Sequence, residues 1–508
     1  MKTYLSDTKW LLLLSIVFWG SCTKRLNEEL FSTLSPGNYY KTEDEALSSV
    51  VGVYQRMSAV TNYGAAWRAS ELGTDEYIIA ARTNGGWYDG GIHLQYTNHS
   101  LTPENSQNND AWNQVFGIIG AANAVMQSLE ESPEKAKFAG LIAEVRALRA
   151  YAYFYAMDYW GNVPIVTTAR IEPSNLPKTS PRSEVFNFVE SEMLKAIADL
   201  PSIKNVNRTA YYPRFTKEAI QAALATVYLN GKVYTGKDYW TQAIEQADKV
   251  ISSGGYILEP QFIASFTGDN HNSRELISAF SIDPAQTAGA NNYVRGALHP
   301  LHVNSFNPPL PFVPANGFNT FEDALNRYEA ADVRRKYIWW GPQADANGNP
   351  LKMSNGTQLV LVPIKDPTKA EDNEGYRVLK YVPNGKWVGR DADNDIVLIR
   401  YADVLLIKAE ALLRSGGSAA EALKLVNDVR KRSNASQLTS LTLQDIEDER
   451  GRELLWEGHR RRDMIRFGDY FTGTWKFHTS PTPVFRGLYP IPQQQIIANK
   501  NLAQNPGY

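Results

Sequence analysis

The chain has 508 residues, a formal net charge of −2 and a pI near 6.4, so its composition excludes a generally basic surface for nucleic acid. Apolar residues make up 43% of the chain, which is ample for a large hydrophobic core. Beyond the N-terminal segment, no apolar run reaches the length of about 20 residues that a membrane-spanning helix needs.

The N-terminal segment has the features of a secretory signal that ends at the only cysteine of the chain. A basic start, an apolar stretch over 11–19 and small residues at 20–21 precede Cys22. A lone cysteine can form neither an intrachain disulfide nor a cysteine zinc cluster. We therefore predict that residues 1–21 are removed and that acyl chains on Cys22 anchor the mature protein stably. An ordinary signal peptide with an incidental cysteine is the alternative, and Trp19, where leucine is usual, keeps it open.

Residues 22–41 are polar and turn-rich and are predicted to form a spacer, followed by one mostly α-helical body over 42–508. Thr42 with Glu45 three residues later predicts a capping box at the start of the first helix. Helical periodicity and flanking breakers predict helices at 42–59, 109–131, 133–159, 181–199, 215–234, 238–253, 401–415, 418–433 and 443–467.

The predicted helices come in pairs joined by short turns, with alanine and aromatic residues where two helices would meet. Small side chains allow close approach, and repetition lets each pair bury its apolar face on the next, as in tetratricopeptide repeats. We predict a helical scaffold mainly over 109–253 and 401–467. Residues 60–108 and 255–400 are loop-rich, with short strand-like pieces, and are predicted to bind ligand because long irregular segments on a rigid scaffold commonly do so.

Several motifs, taken together in their order and spacing, resemble those of the SusD/RagB outer-membrane lipoproteins. The first is AEVRALRAY at 143–151, which continues to YWGNVP at 159–164. The others are LIRYADVLL at 398–406 with AEA at 409–411, NDVR at 427–430, the acidic and basic positions over 449–458, YPIP at 489–492 and QNPGY at 504–508.

This resemblance implies a mostly helical fold with four tetratricopeptide-like units along one side and a variable, loop-rich half that holds ligand. It also implies a non-catalytic lipoprotein of the outer membrane that faces outward and lies over a SusC-type TonB-dependent transporter. Members of the family capture oligosaccharides, or in some cases peptides, for import. We expect no cofactor and no nucleic-acid partner.

Sugar capture requires flat aromatic faces together with a few hydrogen-bonding groups. The glycine-flanked stretch 84–91 carries the first candidates, because its glycines free the backbone to display adjacent rings. The alternative for this stretch is a loop tucked back on the body. The second set lies elsewhere in irregular sequence, where core packing is the alternative role. The predicted ligand-binding residues are Trp87, Tyr88, Asp89, Trp67, Tyr293, Arg295, Trp339 and Trp340.

Two charged patterns resemble sites and are interpreted otherwise. Aspartates at 391, 393 and 395 have the spacing of a calcium loop, but Ile396 and Ala402 stand where an EF-hand needs glycine and glutamate, so we assign no metal. The basic run 459–462 is predicted to lie on a charge-balanced helix face, with Glu457 paired to Arg461, and not to form an anion site.

The sequence lacks the usual enzyme signatures, including a metalloprotease His-Glu-x-x-His motif, a Gly-x-Ser-x-Gly elbow and a phosphate loop. A helical glycoside hydrolase needs only two carboxylates and therefore stays open as an alternative. A tetratricopeptide scaffold that binds protein partners on its concave helical face is a further alternative.

Overall fold

The structure is a computed structural model that describes residues 40, 42–61, 63–283, 293–383, 385–388 and 391–508. The predicted signal peptide and Cys22 lie outside the described residues, as does the predicted spacer apart from residue 40. Within the ranges described, no helix is both long enough and apolar enough to cross a bilayer.

Helices dominate the fold, which confirms the predicted mostly α-helical class. Numbered along the chain, they are α1 Glu43–Arg56, α2 Ala65–Glu71, α3 Ile92–Thr97, α4 Ser106–Glu130, α5 Ala139–Tyr159, α6 Arg182–Asp199, α7 Arg208–Tyr211, α8 Lys217–Leu229, α9 Gly231–Thr235, α10 Trp240–Ser252, α11 Tyr293–Ala297, α12 Glu322–Asn326, α13 Tyr401–Ser415, α14 Ala419–Arg432, α15 Leu443–Glu453, α16 Arg460–Phe467, α17 Asp469–Thr472 and α18 Gln493–Ala498. Short 3-10 helices lie between them, including Asp89–Gly91, Pro300–Ser305 and Val333–Tyr337.

The strands are short and pair in antiparallel twos. They are β1 Ile78–Ile79, β2 Val163–Pro164, β3 Thr179–Ser180, β4 Leu276–Phe280, β5 Phe318–Asn319, β6 Ile338–Trp339, β7 Gly341–Pro342, β8 Val360–Leu361, β9 Arg377–Val378, β10 Trp387–Val388, β11 Asp391–Ala392 and β12 Ile396–Arg400. The pairs are β1 with β5, β2 with β3, β4 with β12, β6 with β9, β7 with β8 and β10 with β11. The pair β4–β12 is buried throughout and leads directly into α13.

The longer helices pack side by side in one continuous row. In this row α4 contacts α5, α5 contacts α6, α6 contacts α8, α8 contacts α10, α10 contacts α13, and α13 contacts α14. Alanines such as Ala222, Ala243 and Ala247 are fully buried in these helices. Their short side chains let neighbouring helix axes approach closely, in agreement with the predicted tetratricopeptide-like pairing.

Local capping signals define several helix ends as predicted. At the start of α1, the Glu45 amide donates to Thr42 Oγ1 (3.2 Å) and the Thr42 amide donates to Glu45 Oε2 (3.0 Å), so the capping box is complete. Helix α13 covers the predicted range 401–415 and ends at Gly416, whose positive φ of 72° suits a glycine.

Three predicted helices are wrong in extent. The helix predicted at 215–234 is divided at Asn230 into α8 and α9. The helix predicted at 133–159 begins only at Ala139, because residues 133–138 form turns in which Lys135 donates to the Ser132 carbonyl and Phe138 to the Lys135 carbonyl. The helix predicted at 443–467 is interrupted, since α15 ends at Glu453 and α16 begins at Arg460.

The break after α15 is held by two buried carboxylates from a distant segment. Trp456 and Gly458 have positive φ angles of 59° and 81°, which no α-helix accommodates. Glu76 Oε1 accepts a hydrogen bond from the Trp456 amide (3.0 Å), and Glu71 Oε1 accepts one from the Gly458 amide (2.6 Å). Tertiary hydrogen bonds therefore replace the helical ones that the local sequence favours.

A buried cluster of ion pairs, here called the ionic joint, connects the loop-rich segments to the helices. Glu453, at the end of α15, binds Arg334 Nη1 (2.7 Å), Arg400 Nη1 and Arg432 Nη2. The same Arg400 also donates to Glu275 (2.8 Å) and Glu457 (2.7 Å). The side chains of the joint are almost completely buried: Glu275, Arg334, Arg400, Arg432, Glu453 and Glu457.

The predicted pair between Glu457 and Arg461 is wrong. Glu457 binds Arg400 and Lys380 of the loop-rich half, because the break in the helix turns it away from Arg461. Arg461 is fully buried, donates to the Gly487 carbonyl (2.8 Å) and lies 4.1 Å from the centroid of the Tyr489 ring. The run 459–462 is buried, and its charges are balanced by carboxylates that lie outside its own helix, such as Asp75 for Arg460 and Asp158 for Arg462.

Glu453→Gln removes the charge that three buried arginines share while keeping the size of the side chain. We expect the free energy of unfolding to fall by about 3–5 kcal/mol, because each arginine stays buried but loses part of the negative charge that neutralises it. Urea denaturation followed by circular dichroism measures this change. The control is Lys424→Gln, which breaks the exposed pair with Asp428 (2.7 Å) and should change stability by less than about 0.5 kcal/mol. An unchanged denaturation midpoint for Glu453→Gln would show that the joint does not stabilise the fold.

Glu71 and Glu76 also make the fold sensitive to pH. Each has one buried carboxylate oxygen without a hydrogen-bond donor, Oε2 in both residues. Burial, together with the neighbouring charge of Glu76, raises the pKa of Glu71 well above its usual value of 4.5. When Glu71 is protonated, its hydroxyl can donate a hydrogen bond, which two ionised carboxylates cannot do.

Glu71→Gln tests this shared proton, since the amide keeps an acceptor for Gly458 and a permanent donor for Glu76. The pKa of Glu71 is higher in the folded state, so its contribution is complete below about pH 4.5 and is lost as pH rises through the raised value. We expect the stability of the variant to fall less than that of the wild type between pH 4.5 and pH 9. Urea unfolding at a series of pH values provides the comparison, and parallel pH profiles would contradict the shared proton.

Candidate functional site

The glycine-flanked stretch 84–91 folds back on the body at Trp87 and projects outward after it. The Trp87 indole Nε1 donates to the Ala315 carbonyl (2.7 Å), and its ring meets Phe318 edge-on at 5.6 Å. Gly317 lies directly beneath the ring, at a position where a Cβ would overlap the indole. Trp87 is therefore half-buried, and its principal contacts are with the body of the protein.

The next two residues of this stretch face solvent. Tyr88 is 55% exposed, and the side chain of Asp89 is 53% exposed. Asp89 Oδ2 lies 3.2 Å from His93 Nε2. Burial lowers the pKa of His93 to about 4, so this contact is a hydrogen bond from a neutral ring at neutral pH.

The pair Trp339–Trp340 presents one ring inward and one outward, as alternation along an extended segment requires. Trp339 is half-buried, with its ring stacked on Phe306 at 6.0 Å and perpendicular to His302 at 5.1 Å. Trp340 is 46% exposed, and the Arg335 guanidinium lies 5.3 Å from the centroid of its ring. Trp340 is thus an exposed aromatic platform with a cation beside it.

Both tryptophans line a solvent-open groove of about 660 Å³, here called the Trp340 groove. Its volume lies within the range of ordinary ligand sites. Polar groups accompany the aromatic rings: Ser305, Asp332, Arg335, Lys336 and Gln343. The combination of a flat apolar surface with several hydrogen-bonding groups suits a hydroxyl-rich ligand.

The polar residues of the groove were not predicted, although one signal was present. The basic run 334–336 lies two residues before the two tryptophans, so residues of the run and the tryptophan rings must lie close together. No sequence signal indicated Gln343, whose side chain is held by backbone carbonyls of residues just before it. Its Nε2 donates to the carbonyls of Trp340 (3.1 Å) and Gly341 (2.9 Å).

The segment 293–318 connects the two candidate regions. The Ala315 amide donates to the Arg295 carbonyl (2.6 Å), and the same Ala315 accepts from Trp87. Between Arg295 and Ala315 in the chain, Phe306 packs against Trp339. Arg295 itself is half-buried on α11. The segment thus contacts both Trp87 and Trp339, the two half-buried tryptophans of the candidate set.

Two predicted ligand contacts are core residues instead. Trp67 is 2% exposed, with its ring 3.9 Å from that of Tyr63. Tyr293 is 0% exposed, and its hydroxyl accepts a hydrogen bond from the Lys380 amide (2.8 Å). Both rings pack in the aromatic cluster around Trp456, so neither offers a face to a ligand.

The acidic spacing at 391–395 has a structural role where the structure describes it. Asp395 accepts hydrogen bonds from the Tyr212 hydroxyl (2.6 Å) and from the Ile282 amide (2.7 Å). Among the described residues, no group of three or more histidine, cysteine, aspartate or glutamate side chains could hold a metal ion.

The fold and the groove together define a class of protein in which paired helices form the body and irregular segments carry an aromatic groove. The sequence model described as the SusD family matches residues 225–508, and one described as "Starch-binding associating with outer membrane" matches residues 41–229. The chain belongs to the SusD family, as the sequence resemblance implied.

Individual relatives match along most of the chain. The "Starch-binding protein SusD" of Bacteroides thetaiotaomicron is 27% identical over 489 residues, which cover 88% of this chain and 86% of the relative. A SusD-like protein of Formosa agariphila is 25% identical over 523 residues and 98% of each chain.

Solved structures show the same fold. A "Laminarin binding SusD-like protein" has a TM-score of 0.76 at 24% identity, covering 92% of this chain and 100% of that one. The surface glycan-binding protein A from Bacteroides thetaiotaomicron, solved with laminarihexaose, has a TM-score of 0.74 at 20% identity, covering 91% of this chain and 99% of that one.

Gly317→Ala tests the packing of Trp87. The new methyl group would overlap the indole ring, so we expect Trp87 to be displaced, with a loss of about 1–3 kcal/mol in unfolding free energy. Tryptophan fluorescence and urea denaturation report the two effects. The control is Gly120→Ala within α4, where the added Cβ meets no atom within 4 Å and should stabilise the helix by about 0.5–1 kcal/mol. Equal behaviour of the two variants would contradict the close packing of Trp87 on Gly317.

Proposed function

We propose that this protein captures a glycan on the cell surface in the Trp340 groove and delivers it to a SusC-type TonB-dependent transporter of the outer membrane. The observation that carries the proposal is the exposed ring of Trp340 beside Trp339, in a groove of about 660 Å³. Membership of the SusD family supports it, because relatives carry names that refer to starch and laminarin, which are carbohydrates.

Binding combines stacking with hydrogen bonds. The apolar C–H face of a sugar ring lies on the exposed indole, while its hydroxyl groups reach the polar rim of the groove. Ser305 donates its own hydroxyl proton to the Ala344 carbonyl (2.8 Å), which leaves its oxygen as an acceptor for a ligand hydroxyl. Arg335 and Lys336 supply further donors.

The groove favours binding over hydrolysis. Glycoside hydrolysis ordinarily uses two carboxyl groups on either side of the scissile bond. Among the described residues that line the groove, Asp332 is the only one with a carboxylate, and it is buried. Its two oxygens accept hydrogen bonds from Arg334, which holds them away from a general-acid role.

The outer part of the candidate set extends the proposed site. Tyr88 and Asp89 are exposed at the end of the 84–91 stretch, and Arg295 lies on the connecting segment. We place these three residues at the periphery, with Trp87 holding the stretch in position. Tyr88→Ala should therefore weaken binding of long oligosaccharides more than that of short ones.

The predicted anchor determines where the captured glycan goes. Acyl chains on Cys22 hold the protein at the outer membrane, and residues 22–41 act as the tether, in keeping with the outer-membrane association in the description of the matching sequence model. The helical row contacts the transporter, while the loop-rich half holds the ligand. Because both proteins share one membrane, the effective concentration is high and modest affinity is sufficient.

Trp340→Ala tests the proposal. We expect binding to the preferred glycan of an array to weaken at least tenfold, or about 1.4 kcal/mol, because the stacking surface is lost while the fold is retained. Isothermal titration calorimetry on the purified protein measures the affinity. The control is Trp240→Ala on α10, where Lys232 Nζ lies 5.3 Å from the ring, so the same cation–ring contact is removed outside the groove.

Three results would contradict the proposal. Unchanged affinity of Trp340→Ala would remove the groove from the site. Release of new reducing ends from the bound glycan would establish an enzyme instead of a binder. Binding to a peptide panel and to no glycan would favour the peptide alternative.

A further inference from the structure

Of the three cations in the basic run 334–336, one is paired with buried carboxylates and two are not. Arg334 is buried and binds Asp332, Glu449 and Glu453. Arg335 and Lys336 instead line the Trp340 groove, and neither is paired with a carboxylate among the residues that the structure describes. The groove therefore carries two positive charges on a chain whose net charge is −2.

The acidic residue in the described part of the groove lining is bound to another cation. Asp332 accepts hydrogen bonds from Arg334 Nε (3.0 Å), Nη2 (2.7 Å) and the Arg334 amide (2.9 Å). Its charge is directed at Arg334, away from the groove. The Asp332 carboxylate is therefore engaged by Arg334, and no ion pair joins it to Arg335 or Lys336 among the described residues.

The histidine beneath the groove adds no charge of its own. His302 packs against Trp339, and burial lowers its pKa to about 3, with the nearby Arg377 contributing in the same direction. The ring is neutral at neutral pH. The cationic character of the groove therefore comes from Arg335 and Lys336 alone among the described lining residues.

The position of Arg335 leaves it free to bind an anion. Its guanidinium lies 5.3 Å from the centroid of the Trp340 ring, a distance typical of cation–π contacts. A guanidinium that stacks on an aromatic ring still presents its N–H groups in the plane of the fork, and this geometry suits a carboxylate or a sulfate. Trp340 retains 46% of its surface for a sugar ring.

We propose that the Trp340 groove is specific for an acidic glycan, whose sugar ring stacks on Trp340 and whose carboxylate or sulfate binds Arg335 and Lys336. This inference rests on the proposed function, because it assigns a charge to the ligand of the same groove. It distinguishes this chain from a binder of neutral polysaccharide, whose hydroxyl groups need hydrogen-bond donors but no net positive charge.

The experiment uses matched acidic and neutral glycans with the purified protein. Polygalacturonate is compared with its methyl ester, and carrageenan with its desulfated form. Each pair keeps its sugar backbone and differs in the acidic group, and the two pairs test carboxylate and sulfate separately. Affinity electrophoresis and calorimetry measure retention. We expect at least one acidic form to bind tenfold or more tightly than its neutral partner, with an affinity that falls as salt is raised.

Variants of Arg335 and Lys336 test whether these two cations cause the preference for acidic glycans. Arg335→Gln combined with Lys336→Gln should reduce acidic binding to about the level of the neutral partner, while neutral binding weakens much less, because the glutamine amides still donate hydrogen bonds to hydroxyl groups. Arg335→Lys keeps the charge without the planar fork and should recover part of the affinity. The control Lys424→Gln with Lys431→Gln on α14 makes the same change of charge outside the groove and should have no effect.

The outcomes separate this inference from the proposed function. If neutral forms bind as tightly as acidic ones, or if the double rim variant keeps the preference, the inference is overturned and the proposed function stands. If neither acidic nor neutral glycans bind, the proposed function itself fails. If Trp340→Ala and the Arg335→Gln, Lys336→Gln double variant each lose acidic binding, the stacking contact and the charge contact lie in one groove.

Discussion

The ionic joint at Glu453 is the interaction on which the rest of the structure depends. Buried charges are tolerated only when each has its partner, so arginines from three separate segments must converge on one carboxylate. One of them, Arg334, belongs to the short 3-10 helix that leads directly into β6. The joint therefore fixes the base of the Trp340 groove relative to the helices, which no contact of the exposed residues could do.

The fold and the proposed ligand preference depend on different parts of this chain. The row of helices is shared with SusD-family proteins over nearly the whole length, and it needs mainly small apolar residues at helix contacts. The groove depends on a few side chains, chiefly Trp340, Arg335 and Lys336, on an irregular segment. A scaffold of this kind can keep its packing while the chemistry of the groove changes, which is why family membership defines the fold more closely than the ligand.

Local sequence was sufficient to predict most of the helices and one exposed ring of the proposed site. The capping box of Thr42 and Glu45 joins residues three apart, and the end of α13 depends on a single glycine. Such signals act within one turn and are readable without the rest of the chain. Trp340 was also among the predicted aromatic residues, because an irregular stretch leaves a large ring less often buried than a helix does.

Burial and choice of partner depended on segments far apart in the chain. Trp67 and Tyr293 lie in the loop-rich part of the sequence, yet rings from distant segments enclose both of them. Glu457 binds Arg400 because carboxylates from residues 71–76 interrupt the helix that would have paired it with Arg461. Helix limits follow from neighbours along the chain, whereas the exposure of a ring and the partner of a buried charge follow from all the segments that pack around them.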